Sequence, residues 1–289
     1  MWIPTDAHGQ LKEKDFVSIL RTSIGWKVDG LMVLGTTGEF PHLEPDQRKR
    51  VLEVAKENAA GVPIMANVSD LRPRVAADLA RYCRLLAVDA ISMLPPYYYP
   101  LNPDDQLEFF LRTAEQAQLP VFLYNFPERV GYKIGLKTIE AFADRAPLLG
   151  IKQSGADFEY HRDLVALGNA KRFSVITGAD TAIPEAMALG VSGVVSGTSN
   201  GVGDLVVSTF QKSRSGLGRS DIPEAAMLDE VGRLLGTLDF PYNIAAVTAA
   251  RGLPVGEFKI LVSSQSRERY ERLVTEYRRL FERWKLPCF

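Results

Sequence analysis

The sequence predicts an α/β fold, and within that class a (β/α)8 (TIM) barrel with a C-terminal helical extension. Short apolar runs recur along the first two thirds of the chain, and amphipathic helical patterns separate them. Unbroken apolar runs are typical of strands buried on both faces of a parallel sheet. Strand and helix alternate at intervals of roughly 20 to 30 residues, which indicates consecutive βαβ units.

Eight segments are predicted to be strands. Most are rich in Val, Ile, Leu and Met and begin just after Gly, Pro or Asp, while the first is a short one in the sequence WIPT. Eight strands form a barrel, whereas the rival fold, an open doubly wound sheet, normally has a glycine-rich first turn that is missing here. In chain order the segments are 2–5, 29–35, 62–68, 88–94, 119–125, 148–154, 172–178 and 191–197.

Helical patterns occupy the intervals and dominate the last third of the chain. The predicted organisation is a barrel over 1–203 that carries the active site, followed by 204–289, the last barrel helix and a C-terminal extension packed on the barrel. Segment 266–284 has an apolar stripe, interpreted either as a partner-binding face or, preferably, as a face packed on the chain's own barrel. The clearest earlier helices, each beginning at a proline, cover 45–59, 73–87 and 103–117.

Composition and charge argue against several classes of protein. The 289 residues are 46% hydrophobic and 24% charged with a net charge of -1, so we expect neither nucleic acid nor a membrane as a partner. The N-terminus lacks the layout of a signal peptide, and a reducing cytoplasm is the expected compartment. Cys83 and Cys288 form neither a disulfide framework nor a metal-ligand spacing.

Unusual residues cluster where the predicted strands end, which is where barrels place their chemistry. Hydroxyls, glycines and one amine gather there, while carboxylate bases and metal ligands are scarce. The segments are GTTGE (35–39), PPYYYP (95–100), YNFPER (124–129), KQSG (152–155), TGAD (177–180) and SGTSN (196–200).

Lys152 is the amine, and it ends the apolar run LLGIKQSG although lysine is rarely buried. Desolvation favours the neutral form of an amine, which attacks a ketone to give an iminium, an electron sink for a breaking C–C bond. This chemistry needs no metal and no external cofactor, and Tyr124 on the neighbouring strand is expected to move the proton. The alternative for Lys152 is a lysine that is ion-paired or lies at the rim of the barrel. The backbone N–H groups and hydroxyls of GTTGE suit the binding of a small carboxylate, and the alternative for this segment is a plain tight turn.

Four stretches in order carry a resemblance to a known family: DGLMVLGTTGEF, YNFP, GIKQSG and RGLPVG. Together they resemble the dihydrodipicolinate synthase / N-acetylneuraminate lyase family of class I, pyruvate-handling aldolases, over almost the whole chain. The resemblance implies a (β/α)8 barrel with C-terminal helices, assembled as a homotetramer (a dimer of dimers). It also implies pyruvate or a related 2-oxo acid as the small-molecule partner, bound as a covalent Schiff base with no separate cofactor.

The resemblance assigns a role to each matching residue. Lys152 would form the Schiff base, and Tyr124 would be the acid/base. Thr36 and Thr37 would hold the pyruvate carboxylate, and Thr36 would join a proton relay that Tyr98 completes from a neighbouring subunit. The further substrate-binding candidates are Arg129, Ser154, Gly178, Asp180, Thr181 and Gly197.

The substrate is less narrowly indicated. Arg129 matches the synthase arginine that binds a distal carboxylate, which favours an acidic substrate or the synthase reaction itself. Segment 39–48 departs from the lysine-feedback pattern of bacterial synthases, so inhibition by lysine is not expected. Thr181 and Gly197 stand where sialic-acid lyases use glutamate and serine, and GTTGEF with LYNFP looks closer to the sugar-acid branch.

The leading hypothesis is a Schiff-base lyase that cleaves, condenses or dehydrates a 2-oxo acid such as a 2-keto-3-deoxy sugar acid, with pyruvate as product or co-substrate. The first alternative is 4-hydroxy-tetrahydrodipicolinate synthase, which condenses pyruvate with aspartate semialdehyde. A non-catalytic 2-oxo-acid-binding barrel is the alternative from another class. It is disfavoured because Lys152, Tyr124 and Thr36 occur together, and a metal-dependent class II aldolase is disfavoured further.

Overall fold

The computed structural model describes residues 1–155 and 157–289, which form two compact units. One unit combines Met1–Val62 with Ser196–Phe289, and the other is Pro63–Val195. The described residues contain seven strands, and successive strands of the second unit pair in parallel, so the predicted α/β class is confirmed.

The second unit holds a parallel sheet in which β2 to β7 pair in chain order, each strand with the next. This order follows from the alternation of strand and helix, because each crossover returns the chain to the same end of the sheet. Its strands are β2 (Ile64–Asn67), β3 (Ala90–Met93), β4 (Val121–Asn125), β5 (Leu148–Gln153), β6 (Ser174–Thr177) and β7 (Gly193–Val194). Its helices are α3 (Pro73–Leu85), α4 (Pro103–Ala117), α5 (Pro127–Val130), α6 (Leu136–Ala143), α7 (Phe158–Lys171) and α8 (Ile183–Ala188).

Local sequence explains where these elements begin. The helices α3 and α4 start at Pro73 and Pro103, as predicted. The fixed φ of proline suits the first turn of a helix, where its missing N–H is not needed. Asn102 caps α4 by accepting a hydrogen bond from Asp105 N at 2.9 Å. The strand β5 is buried from Gly150 to Gln153 because it lies between β4 and β6.

The first unit is mainly helical. Two 3-10 helices, Thr36–Gly38 and Phe40–His42, follow its strand and lead into a helix that begins at the predicted Pro45. Its strand is β1 (Leu31–Val33), and its α-helices are α1 (Glu13–Gly25), α2 (Pro45–Asn58), α9 (Ser199–Arg214), α10 (Pro223–Leu235), α11 (Tyr242–Ala250) and α12 (Ser264–Trp284).

The prediction of a strand at 2–5 is wrong. Thr5 makes isolated antiparallel bridges to Leu11 and Glu257, and the segment forms no strand. Trp2 is buried nonetheless, because its indole packs in an apolar cluster. Its backbone N–H donates to Asn200 Oδ1 at 2.7 Å, so this polar group is satisfied without strand pairing. A short apolar run is equally consistent with such packing, so burial alone did not predict strand pairing. The eighth strand of the predicted (β/α)8 barrel is therefore absent from the described residues.

The apolar stripe of α12 packs within its own unit, against α10 and α11, so other helices of this unit cover it. Tyr277 on this stripe is fully buried, and its hydroxyl donates to Val231 O at 3.1 Å. No helix in the described part of the chain is both long and apolar enough to cross a membrane.

Candidate active site

Lys152 lies near the carboxyl end of β5 in the second unit. In the parallel register it stands beside Tyr124 of β4 on one side and Ile176 of β6 on the other. The lysine is only 5% exposed, because the apolar run before it builds a strand with neighbours on both edges. The sequence therefore places an amine where a strand interior normally holds an apolar side chain.

The amine has two neighbours of different character. Its Nζ donates a hydrogen bond to Ser154 Oγ at 2.7 Å and lies 3.9 Å from the centroid of the Tyr124 ring. The face of an aromatic ring attracts an ammonium, by about 0.5 to 2 kcal/mol. Among the described residues no carboxylate forms an ion pair with this amine. Burial without a counter-ion is the environment in which lysines act as Schiff-base nucleophiles.

Gly178 lies close to the amine and to the hydroxyl of Ser154. A Cβ at this position would lie 2.5 Å from Ser154 Oγ and 3.2 Å from Lys152 Nζ, both closer than van der Waals contact. The N–H of Gly178 donates to Gln153 O at 2.7 Å, so hydrogen bonding fixes this backbone next to β5. The second unit thus brings four predicted site residues into contact: Lys152, Tyr124, Ser154 and Gly178.

Two buried amides tie together the strand ends that carry the site. Asn125 Nδ2 donates to Gln153 Oε1 at 2.6 Å, and Gln153 Nε2 donates to Ser154 O at 2.7 Å. Asn125 Oδ1 also accepts from Ile134 N at 2.9 Å. Neither amide was predicted to have a role, although both lie in the family motifs YNFP and GIKQSG. The sequence feature that could have identified them is a polar residue within an apolar strand, next to the candidate acid/base Tyr124 or the amine of Lys152.

The other predicted residues of this unit surround the carboxyl ends of the strands. Arg129 is exposed on α5, which follows β4 directly, and Asp180 and Thr181 are half-buried just after β6. Tyr98 lies after β3, is 78% exposed and packs edge-to-face on Tyr99 with ring centroids 4.8 Å apart. Its φ of 77° is in the left-handed region, which is unusual for a bulky side chain.

Thr36 and Thr37 belong to the first unit, where they begin the 3-10 helix after β1. This turn ends at Glu39, whose carboxylate accepts a hydrogen bond from Lys259 Nζ at 2.8 Å. The two side chains are 4% and 3% exposed. Burial lowers the pKa of Lys259, and the Glu39 carboxylate acts in the opposite direction. A buried ion pair therefore anchors the GTTGE turn, and sequence reasoning missed Lys259 because it lies 220 residues from its partner.

Gly197 lies in the same unit, immediately before α9. Its carbonyl accepts a hydrogen bond from Asn200 Nδ2 at 2.8 Å, and the flanking hydroxyls of Ser196 and Thr198 are 2.8 Å apart. These bonds form a compact, hydroxyl-rich turn at the start of the helix.

A family model described as the dihydrodipicolinate synthetase family matches residues 1–276. The chain belongs to this family. Among its relatives, the 4-hydroxy-tetrahydrodipicolinate synthase of Oceanobacillus iheyensis is 26% identical over 280 residues, which cover 94% of this chain and 92% of the relative. YagE, a prophage protein of the dihydrodipicolinic acid synthase family from E. coli K12, was solved in complex with pyruvate. It is 26% identical, with a TM-score of 0.88 over 96% of this chain and 95% of YagE.

The resemblance predicted from the four sequence stretches is thus confirmed. Members of the dihydrodipicolinate synthetase family are lyases or synthases acting on pyruvate, and this chain is an enzyme of that kind, a class I aldolase or lyase. A sialic acid aldolase of Ruminococcus gnavus, at 18% identity, shares the fold with a TM-score of 0.88 over 98% of this chain and 96% of its own. Similar proteins therefore include both synthases and a sialic acid aldolase, and family membership does not select the substrate.

Proposed function

We propose that the protein is a Schiff-base lyase acting on a 2-oxo acid such as a 2-keto-3-deoxy sugar acid, with pyruvate as product or co-substrate. The observation that carries this proposal is the environment of Lys152. Its amine is buried, it contacts Ser154 Oγ and the ring face of Tyr124, and among the described residues no carboxylate is ion-paired with it. A plain structural lysine at this depth would need a counter-ion.

The proposed reaction begins with attack of Lys152 Nζ on the ketone carbon of the 2-oxo acid. Loss of water gives an iminium, whose nitrogen accepts the electron pair of the C–C bond that breaks. Tyr124 takes the proton from the hydroxyl that becomes the aldehyde and returns a proton to the enamine carbon. Hydrolysis of the pyruvyl iminium restores the amine, so no metal or external cofactor takes part.

The remaining assignments follow the family motifs. Thr36 and Thr37 bind the substrate carboxylate, and Tyr98 completes the proton relay from a neighbouring subunit of a homotetramer. The substrate groups beyond the carboxylate contact Asp180 and Thr181. Gly178 supports the site because, without a Cβ, its backbone can lie close to Ser154 Oγ and Lys152 Nζ.

The test is borohydride reduction in the presence of pyruvate, followed by peptide mass spectrometry. We expect a reduced pyruvyl adduct on Lys152 that is missing in Lys152→Ala. The control is Lys171→Ala, which removes a partly exposed lysine that pairs with Asp144. If the folded protein gives no adduct with pyruvate or with a larger 2-oxo acid, the proposal is wrong and the binding-barrel alternative takes its place.

The second candidate function is 4-hydroxy-tetrahydrodipicolinate synthase. It is favoured by Arg129, exposed beside the strand end that carries Tyr124, and by the synthase among the relatives. Turnover of 2-keto-3-deoxy acids compared with condensation of pyruvate and aspartate semialdehyde separates the two candidates.

For either function, Arg129→Ala is expected to raise KM for an acidic partner about 10- to 100-fold, the equivalent of one lost charge-assisted hydrogen bond. Pyruvate adduct formation should be unchanged, and the exposed Arg145→Ala serves as the control. Equal loss of adduct formation and partner binding would contradict the role of Arg129.

A further inference from the structure

A second buried polar group lies on α7 and on β6, the strand next to the one that carries Lys152, and the proposed reaction does not use it. His161 on α7 and Thr177 at the end of β6 are both 0% exposed. His161 Nδ1 lies 2.8 Å from Asp157 O, and its Nε2 lies 3.0 Å from Thr177 Oγ1. The imidazole also stacks on Phe158, with ring centroids 5.3 Å apart, so packing fixes its plane.

For a neutral imidazole, the hydrogen bonds of this group have one consistent direction. Asp157 O is a carbonyl oxygen and only accepts, so Nδ1 carries a hydrogen, and in a neutral imidazole Nε2 is then an acceptor. The Thr177 hydroxyl donates to Nε2, and its oxygen accepts from Ala179 N at 3.1 Å. Both ring nitrogens of His161 and the hydroxyl of Thr177 thus have hydrogen-bonding partners, which is the condition for a buried network to be rigid.

This network ends at the turn that borders the amine. Thr177 pairs in register with Gln153, the residue after Lys152, and Gly178 N donates to Gln153 O at 2.7 Å. Gly178 is the residue whose added Cβ would meet Lys152 Nζ at 3.2 Å. The position of this turn therefore sets how closely its backbone approaches the nucleophile.

We infer that His161, acting through Thr177, positions the Gly178–Ala179 turn closely against the Lys152 amine and so holds the amine in place to attack a 2-oxo acid. His161 and Thr177 are positioning residues, since neither contacts the amine. The inference rests on the Schiff-base function proposed for Lys152. It also explains why a histidine is buried at 161 without a charged partner on its ring nitrogens.

The test compares two substitutions at position 177. Thr177→Val keeps the branched shape but removes the hydroxyl, so His161 Nε2 loses its donor and Ala179 N loses its acceptor. Thr177→Ser restores both hydrogen bonds. The matched control is Thr113→Val, which removes a hydroxyl of similar burial that donates to Phe109 O at 2.9 Å within α4.

The readout is the rate of the borohydride-trapped pyruvate adduct per folded molecule, with the folded fraction taken from urea unfolding. We expect Thr177→Val to slow trapping at saturating pyruvate about 10- to 100-fold, the usual effect of a misplacement near 1 Å. Thr177→Ser should trap near the wild-type rate, and Thr113→Val should lose stability only. Amide hydrogen exchange at Ala179 should accelerate in Thr177→Val even without substrate.

A double-mutant cycle shows whether His161 acts through Thr177. His161→Phe with Thr177→Val should be no slower than the slower single variant, whereas independent effects multiply. The inference is overturned if the reductions in trapping rate of the two single variants multiply in the double variant. It is also overturned if Thr177→Val is less stable but traps pyruvate at the wild-type rate. A wild-type protein that forms no adduct at all would instead refute the Schiff-base function, so the two failures are distinct.

Discussion

Gly178→Ala tests whether the amine works from the position in which the structure places it. The added Cβ would lie 2.5 Å from Ser154 Oγ, about 1 Å inside ordinary contact, and 3.2 Å from Lys152 Nζ. The serine hydroxyl must retreat, which breaks its 2.7 Å hydrogen bond to the amine. Because the atoms in the way are ends of side chains, we expect a loss of only about 1 to 2 kcal/mol in the free energy of unfolding.

The effect on catalysis should be much larger than the effect on stability. Displacing the nucleophile by about 1 Å is expected to reduce turnover and pyruvate trapping about 100-fold. The contrasting variant is Gly150→Ala in the same strand as the lysine, whose Cβ would lie 2.6 Å from Ser174 O and 2.4 Å from the Phe122 ring. A backbone atom cannot move aside, so this variant should lose about 3 kcal/mol of stability or more.

The assays are urea unfolding of both variants and borohydride trapping of pyruvate on the folded protein. We expect Gly178→Ala to be folded but slow, and Gly150→Ala to be destabilised. If Gly178→Ala traps pyruvate as fast as the wild type, the amine does not react beside Gly178, and the reasoning from the contacts of Lys152 fails.

Three further predictions concern other groups. Lys259→Met leaves the Glu39 carboxylate buried without its partner and should lower the free energy of unfolding by about 3 to 5 kcal/mol. Adding Glu39→Gln should recover part of this loss, and urea unfolding measures both variants. The ammonium of Lys133 beside Asp157 holds the pKa of that carboxyl below its ordinary value. Its stabilising effect is therefore complete above about pH 4 and is lost as the pH falls through the lowered pKa, so Lys133→Met should raise the midpoint of acid unfolding followed by circular dichroism. Tyr124→Phe keeps the ring under the amine but removes the phenol, so trapping should persist while turnover falls about 100-fold or more, and an equal loss of both would count against the acid/base role.

The local features of the fold were predictable because they depend on neighbours in sequence. The apolar runs from 29–35 onward contain β1 to β7, and helices begin at Pro45, Pro73 and Pro103 as predicted. The segment at 2–5 was mispredicted because its apolar side chains are buried without strand pairing. Burial and pairing have the same sequence signal in a run this short.

By itself, the sequence determined the class of fold and the family, and it singled out the residues proposed to carry the chemistry, because periodicity and motifs are local and can be read without coordinates. The tertiary structure alone decided what supports those residues. It placed His161 against Thr177, the residue before Gly178, and brought Lys259 to Glu39 across 220 residues. Such partners are chosen by the close packing of distant segments, in which each buried polar group must find a hydrogen-bonding partner. No motif records that choice, and only the folded chain shows it.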